Sequence, residues 1–236
     1  MAWFQEWFGE EYLELYSYRD AGEAREQVAF FRRTFQRVHG TVLDLACGTG
    51  RHLRELLSEG YAAAGCDLSF TLLRTGAAEH GAMPLAQADM RLLPFRDATF
   101  AGLVNFFTSF GYFPSEAENL HVVHEMARVL WRHAVFLFDY LNVHHELQRM
   151  IERERRDTPH GPVLIERWFD VSDRSFNKRI TIGGRRYMER VRGYDLDEIS
   201  MMFTSCGLKI RDAFGDFHGS PFHHSSPRLI LVGQRQ

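Results

Sequence analysis

The chain has 236 residues, of which 45% are hydrophobic, which suits one large α/β domain with an additional element. The formal net charge is −3, so there is no overall electrostatic attraction to nucleic acid. The three cysteines lack CxxC spacing, and we interpret them as reduced residues of a cytoplasmic protein. The chain start lacks the basic and then apolar layout of a signal peptide, and no apolar run reaches the roughly 18 residues of a membrane span. We therefore expect neither secretion nor membrane insertion.

Aromatic residues dominate positions 1 to 18. Trp3 and Trp7, and likewise Phe4 and Phe8, lie at i,i+4 spacing, which predicts an amphipathic helix packed on the body of the protein. Residues 23 to 38 predict a further helix with its apolar residues on one face.

Residues 41 to 57 are the most informative segment of the chain. They predict a short buried strand, a tight turn that contains Gly48 and Gly50, and then a helix. Residues 61 to 66 predict a second strand that ends at Asp67. Doubly wound folds bind nucleotides at such a glycine turn, and an acid at the end of the second strand can accept hydrogen bonds from ribose hydroxyls. The segment therefore predicts a nucleoside-binding site.

The later segments continue the alternation of helices and strands. We predict a helix after Ser69, strands that end near Ala88 and that span 100–107, a capped helix over 115–130, and a fifth strand over 134–139. A helix over 195–207 follows, and then strands over 208–217 and 229–233, which favour an antiparallel hairpin at the sheet edge.

Residues 142 to 194 interrupt this order. A helix over 142 to about 154 is predicted, followed by extended runs at 163–171, 175–182 and 185–194, which together indicate a three-stranded antiparallel insert. We therefore divide the chain into a core of residues 1–141 and 195–236, with 1–22 as an N-terminal lid segment, and an insert of residues 142–194. Since the insert is too long for an ordinary connection, it is either a substrate lid or a dimer element.

The turn departs from the dinucleotide fingerprint. Its third glycine would stand at position 53, which is Leu53. This favours a nucleoside ligand without a pyrophosphate. A nicotinamide oxidoreductase therefore stays only as a disfavoured alternative.

The segment Asp44-Leu-Ala-Cys-Gly-Thr-Gly50 resembles motif I of the class I S-adenosylmethionine (SAM) dependent methyltransferases. Residues 65–69 and 87–95 are similar to the second and third motifs of that superfamily. The resemblance implies a doubly wound, Rossmann-like sheet of seven strands. The order of elements, with the insert and residues 105–113, is similar to the small-molecule branch that includes sugar N-methyltransferases and glycine N-methyltransferase. One departure is visible, since Trp131-Arg-His-Ala134 stands where the family usually carries a Pro-Gly-Gly turn.

The resemblance also implies a set of cofactor-binding residues, with SAM as the methyl donor and S-adenosylhomocysteine as the product. The backbone near the glycine turn should face the methionine part and the ribose, Asp67 with Leu68 the ribose, and Asp89 with Met90 the adenine. The Phe106 carbonyl should accept the methionine ammonium, Arg19 should bind the carboxylate, and Tyr16 should close over the cofactor. The full set is Tyr16, Arg19, Ala46, Cys47, Gly48, Gly50, Asp67, Leu68, Asp89, Met90 and Phe106.

Methyl transfer needs mainly the positioning of donor and acceptor in a site shielded from water. No metal is required, and we predict none. If the acceptor needs a general base, the candidates are Tyr112, Asp139, His144 and His145.

The predicted acceptor is the nitrogen or oxygen atom of a small molecule. An excess of arginine in the insert, including Arg185, Arg186, Arg190 and Arg192, leaves an anionic acceptor open. A nucleic-acid or protein methyltransferase stays as the alternative. DNA adenine methylation is disfavoured because the chain has Asn105-Phe-Phe-Thr108 where those enzymes carry an Asn/Asp-Pro-Pro-Tyr/Phe motif.

Overall fold

A computed structural model describes residues 2–16, 21–158 and 161–236 of the chain. Its helices are α1 (Trp3–Trp7), α2 (Glu10–Leu15), α3 (Ala21–Phe35), α4 (Arg51–Ser58), α5 (Phe70–His80), α6 (Glu116–Val129), α7 (Val143–Arg149) and α8 (Leu196–Ser205). Its strands are β1 (Val42–Leu45), β2 (Ala63–Asp67), β3 (Leu85–Gln87), β4 (Phe100–Asn105), β5 (Leu130–Leu141), β6 (Arg153–Thr158), β7 (Gly161–Asp170), β8 (Ser175–Ile182), β9 (Arg185–Arg192), β10 (Leu208–Phe214) and β11 (Arg228–Arg235).

The central sheet has seven strands in the order β10-β11-β5-β4-β1-β2-β3. The pairs from β5 to β3 are parallel, whereas β11 is antiparallel to both β5 and β10. This confirms the doubly wound α/β sheet and the antiparallel hairpin at its edge. Strands β1 and β4 are buried along their whole length, as expected of central parallel strands covered on both faces.

The insert differs from the prediction in one respect. Its sheet has four strands, in the order β6-β7-β8-β9, and not three. The additional strand β6 occupies the end of the predicted helix, so α7 stops at Arg149. Strand β6 has the sequence Arg-Glu-Arg-Arg-Asp-Thr, which contains no apolar residue. The strand pairs with β7 through its backbone, and its side chains are exposed or only partly buried. Periodicity of apolar residues could not reveal such a strand.

The aromatic N-terminal segment forms two short helices and not one, since Gly9 is in an extended conformation between them. Trp7 is buried against apolar residues of the insert sheet, among them Ile165 and Ile180. The N-terminal helices therefore pack on the insert. Within the described ranges, no helix is long and apolar enough to cross a membrane.

Candidate active site

A cavity of about 600 Å³ lies where β1, β2 and β4 end. Core residues line one side, which we call the floor: Asp44–Thr49, Asp67, Leu68, Asp89, Met90 and Phe106–Ser109. The N-terminal helices and the insert line the other side, which we call the roof: Trp3, Phe4, Phe8, Tyr12, Leu13, Tyr16, Glu146, Lys178, Glu189 and Val191. The carboxyl ends of parallel strands are where ligands bind in such sheets, so this cavity is the candidate active site.

The turn after β1 brings backbone to the cavity. Ala46 and Gly48 both have positive φ, at 57°, and line the cavity together with Cys47. Gly50, with φ of 77°, is the residue that begins α4, but it does not line the cavity. A Cβ at Gly50 would lie 2.9 Å from the Met83 Cε atom. Gly50 therefore forms the turn at the start of α4, and its contact with a ligand stays a prediction.

Asp67 closes this turn from the end of β2. Its Oδ2 atom accepts a 2.8 Å hydrogen bond from the Gly48 backbone N–H, and its Oδ1 atom accepts one of 2.8 Å from the Ser69 backbone N–H. Burial raises the pKa of the Asp67 carboxyl, and the N–H donors oppose that rise. Each oxygen keeps a lone pair for a further donor, such as a ribose hydroxyl. Leu68, the next residue, also lines the cavity.

Asp89 and Met90 line the cavity beyond β3. The Asp89 carboxylate receives the Arg91 guanidinium, with Nη2 to Oδ2 at 2.7 Å, and Arg91 also pairs with Glu118 at 2.7 Å. Burial raises the pKa of Asp89, but the hydrogen bonds and charge of Arg91 outweigh it and leave the pKa lowered. Asp89 is therefore held ionised and in a fixed orientation, as an acceptor for a ligand amino group should be.

Asp44 is a cavity residue that was not among the cofactor-binding residues predicted from the sequence. It lies in β1, is 1% exposed, and its Oδ2 atom has no hydrogen-bond partner in the described structure. Burial raises the pKa of Asp44 to about 8, although the Leu53 backbone N–H and Arg51 oppose the rise. The signal was available, because an acid in the middle of an apolar strand has to serve something other than the core. A buried, unpaired carboxylate is a receptor for a cation.

The segment after β4 is held in an unusual conformation. Phe107 and Thr108 have φ of 68° and 58°, a region that non-glycine residues rarely adopt. Asp139 accepts a 2.8 Å hydrogen bond from the Phe107 backbone N–H and a 2.8 Å bond from the Arg228 Nε atom. Arg228 in turn donates to the Thr108 hydroxyl at 2.7 Å. Because Asp139 is engaged and does not line the cavity, it positions this turn and is not placed to act as a base. Phe106 lines the cavity at the start of the turn.

The remaining predicted catalytic residues divide into two groups. Tyr112 lines the cavity, and its hydroxyl donates a 2.9 Å hydrogen bond to the Thr108 carbonyl. His144 and His145 do not line the cavity. The exposed His144 ring lies 4.2 Å from the His224 ring, centroid to centroid. Of these α7 residues, Glu146 lines the cavity instead, and a catalytic role of either histidine stays a prediction.

Glu189 joins the two parts of the roof. Its carboxylate accepts a 2.5 Å hydrogen bond from the Trp7 indole N–H and forms an ion pair with Lys178. Lys178 also donates to the Tyr16 hydroxyl. Tyr16, predicted to close over the cofactor, therefore lies at the cavity and contacts the insert. Arg19 lies outside the described residues.

The arginines of the insert pair with acids and do not line the cavity. Arg185 pairs with Glu11, Arg190 with Asp173, and Arg192 with Glu116. Arg186 is exposed. The structure therefore does not bring these arginines to an acceptor. In the described ranges, no group of three or more His, Cys, Asp or Glu side chains could hold a metal ion.

Comparison with known proteins agrees with this geometry. A family model described as "Methyltransferase domain" matches residues 42–133, which include the whole floor. The chain is 25% identical to the Bacillus subtilis (strain 168) protein YqeM, whose name assigns it a methyltransferase activity provisionally, over 83% of this chain and 84% of that protein. Residues 42–133 are a methyltransferase domain, and the chain has the fold of the class I SAM-dependent methyltransferases.

Solved methyltransferase structures share its fold. A SAM-dependent methyltransferase from Clostridium acetobutylicum ATCC 824 superimposes with a TM-score of 0.79 at 19% identity, over 95% of this chain and 96% of that one. The sugar N-methyltransferase KedS8 from Streptoalloteichus sp ATCC 53650 gives a TM-score of 0.71 at 21% identity, over 97% and 94%. The methyltransferase match of residues 42–133 argues against a nicotinamide oxidoreductase.

SAM is the cofactor of this methyltransferase, and the residues present fit it. SAM carries an α-ammonium group, a sulfonium and ribose hydroxyls. The unpartnered Asp44 oxygen offers a place for the ammonium, and Asp67 offers acceptors for the hydroxyls. The methyltransferase floor therefore has the polar groups that SAM requires.

Proposed function

We propose that this enzyme transfers the methyl group of SAM to a nitrogen or oxygen atom of a small molecule. The observation that carries the proposal is the roof, because the N-terminal helices and the insert cover the floor and bring aromatic rings such as Trp3, Phe8 and Tyr12 to the cavity. A site of this size and aromatic lining suits a small acceptor better than a protein or nucleic-acid chain.

The floor residues would hold SAM in one orientation. We assign the ammonium to Asp44 and the Phe106 carbonyl, the ribose to Asp67 with Leu68, and the adenine to Asp89 with Met90. The sulfonium of bound SAM supplies a methyl carbon that is already activated for in-line displacement. The protein's contribution is to fix the distance and the alignment of the reacting atoms and to exclude water.

Tyr112 is the predicted catalytic residue that lies at the cavity. Its hydroxyl donates a hydrogen bond to the Thr108 backbone carbonyl, which holds the side chain at the cavity wall. We therefore assign Tyr112 to orient the acceptor, with its ring between the floor and the N-terminal helices.

We assign the insert to the acceptor and the core to SAM. Glu146, Lys178, Glu189 and Val191 support this division, because they bring the insert to the cavity. A dimer element is the other role proposed for the insert. Light scattering and turnover measured across a dilution series separate the lid role from the dimer role. A monomer with full turnover would support the insert as a substrate lid. Turnover that is lost as a dimer dissociates would show that assembly completes the site.

The decisive experiment combines binding with an acceptor screen. Calorimetry should detect S-adenosylhomocysteine binding, and release of that product should follow from small amines or alcohols. Turnover of peptides or RNA without turnover of any small acceptor would overturn the small-molecule assignment. The free state of all three cysteines supports the cytoplasm as the proposed location.

A further inference from the structure

The described side chains that line the cavity carry a surplus of negative charge. The acids are Asp44, Asp67, Glu79, Asp89, Glu146 and Glu189. The cationic side chains are Arg51, Lys178 and Arg228. Each of these cations already forms an ion pair with an acid. Arg51 pairs with Glu23 at 2.6 Å, Arg228 pairs with Asp139 at 2.8 Å, and Lys178 pairs with Glu189. The cavity therefore favours cationic ligands over anionic ones.

Most of these acids already have a function or a partner. Asp44 and Asp67 lie on the floor, where SAM accounts for them. Asp89 is paired with Arg91, and Glu189 is paired with Lys178. The Glu79 side chain is 58% exposed and lies 3.9 Å from His80, at the outer rim.

Glu146 is different, because its side chain forms no hydrogen bond or ion pair with any residue of the described ranges. It is partly buried in the first turn of α7, on the roof side of the cavity. A carboxylate at a cavity wall gains most from a ligand that brings the missing positive charge and donors. The aromatic faces of Trp3, Phe8 and Tyr112 line the same cavity and also favour a cation.

We propose that the methyl acceptor is an amine and that Glu146 recognises it as an ammonium ion. This inference rests on the proposed function. In the reaction, the ammonium loses a proton through Glu146 to solvent, and the freed nitrogen lone pair attacks the methyl carbon of SAM. The C–N bond forms as the C–S bond breaks, and the bond's electron pair stays on sulfur, which gives the methylated ammonium and S-adenosylhomocysteine.

The test uses matched probes on the enzyme saturated with S-adenosylhomocysteine. Glucosamine, glucose and glucuronate form one set, and benzylamine, benzyl alcohol and benzoate form a second, so that each set compares amine, hydroxyl and carboxylate on one ring. Calorimetry measures binding, and methyl transfer is followed with SAM by product release. The variants are Glu146→Gln and, as a control with the same charge change, Glu152→Gln, since Glu152 is exposed and does not line the cavity.

We expect an amine to bind more tightly than its alcohol and acid counterparts. Glu146→Gln should weaken amine binding at least tenfold and leave the Kd for S-adenosylhomocysteine within twofold, whereas Glu152→Gln should change neither. Three results would overturn this inference and leave the proposed function intact. They are unchanged amine affinity in Glu146→Gln, tighter binding of the acid or alcohol than of the amine, and no amine binding to an enzyme that binds S-adenosylhomocysteine. Failure to bind S-adenosylhomocysteine would instead refute the proposed function.

Discussion

Asp44 should make the ligand-free enzyme less stable as the pH rises. Its pKa is about 8 in the folded chain against 3.8 for an ordinary aspartate. The folded form binds the Asp44 proton more tightly than the unfolded form does. Ionisation of Asp44 therefore leaves the unfolding free energy unchanged below about pH 4, lowers it progressively between about pH 4 and pH 8, and has its full destabilising effect above about pH 8. At about 1.36 kcal/mol for each unit of difference between the two pKa values, the loss of unfolding free energy is at most about 6 kcal/mol. Stability is therefore set against function at this residue.

Asp44→Asn removes this cost. A buried amide without a full set of partners costs about 1–3 kcal/mol, so the net gain in unfolding free energy near pH 8.5 should be about 3 kcal/mol. Near pH 4, where Asp44 of the wild type is protonated, the gain should be lost and the variant should be less stable by the amide cost of about 1–3 kcal/mol. Urea denaturation of the ligand-free variant and wild type across this range measures it, with the exposed Asp157→Asn as the matched control. A variant gain that does not change with pH would refute the reasoning.

The same substitution should weaken ligand binding. Loss of a charged partner for the ammonium should cost about 1–3 kcal/mol in S-adenosylhomocysteine affinity. At pH 7 the wild type should also release close to one proton on binding, because the ammonium ionises Asp44, and the variant should release almost none. Calorimetry in phosphate and in Tris buffers distinguishes these cases, and equal proton release by both proteins would contradict the assignment of the ammonium to Asp44.

Further substitutions test the floor and its support. Asp67→Ala should weaken S-adenosylhomocysteine binding by about 1–3 kcal/mol by calorimetry, and unchanged affinity in the folded variant would remove Asp67 from the site. Gly76→Ala would place a Cβ atom 1.9 Å from the Thr49 carbonyl oxygen. The substitution should therefore lower the unfolding free energy by about 1–3 kcal/mol and also reduce ligand affinity. An unshifted Tm would contradict this. Arg228→Met leaves Asp139, which is 1% exposed, without its cation and should cost about 3–5 kcal/mol in urea denaturation; a loss below about 1 kcal/mol would argue against the pair.

The floor could be predicted from the sequence because its residues are local. A strand, a turn and an acid at the end of the next strand lie within one continuous segment, and each has its own signal. Asp44 was missed because the apolar pattern of a buried strand predicts that a residue is buried but does not show whether its side chain has a hydrogen-bond partner. The sequence could not show that the two glycines of one turn have different surroundings, since Gly48 lines the cavity and Gly50 lies against Met83.

The roof could not be predicted in the same way. His144 and His145 were chosen for their chemistry, but the rotation of α7 decides which side chain faces the cavity, and it presents Glu146. The arginines of the insert were visible in the sequence, whereas their partners, such as Glu11 and Glu116, lie far away in the chain. Charge composition therefore left an anionic acceptor open, but it could not show that these arginines pair with acids away from the cavity.

The bond between Trp7 and Glu189 spans 182 positions of the chain. During synthesis from the N-terminus, the first helices leave the ribosome long before the strand on which they pack exists. Apart from Arg228, which holds the turn after β4, the residues that form the floor lie before about residue 140, and closure of the roof has to be a late event with a large loop to close. Nascent chains that stop before β9 would carry Trp7 and its aromatic neighbours without cover, and they are the species in which aggregation should begin.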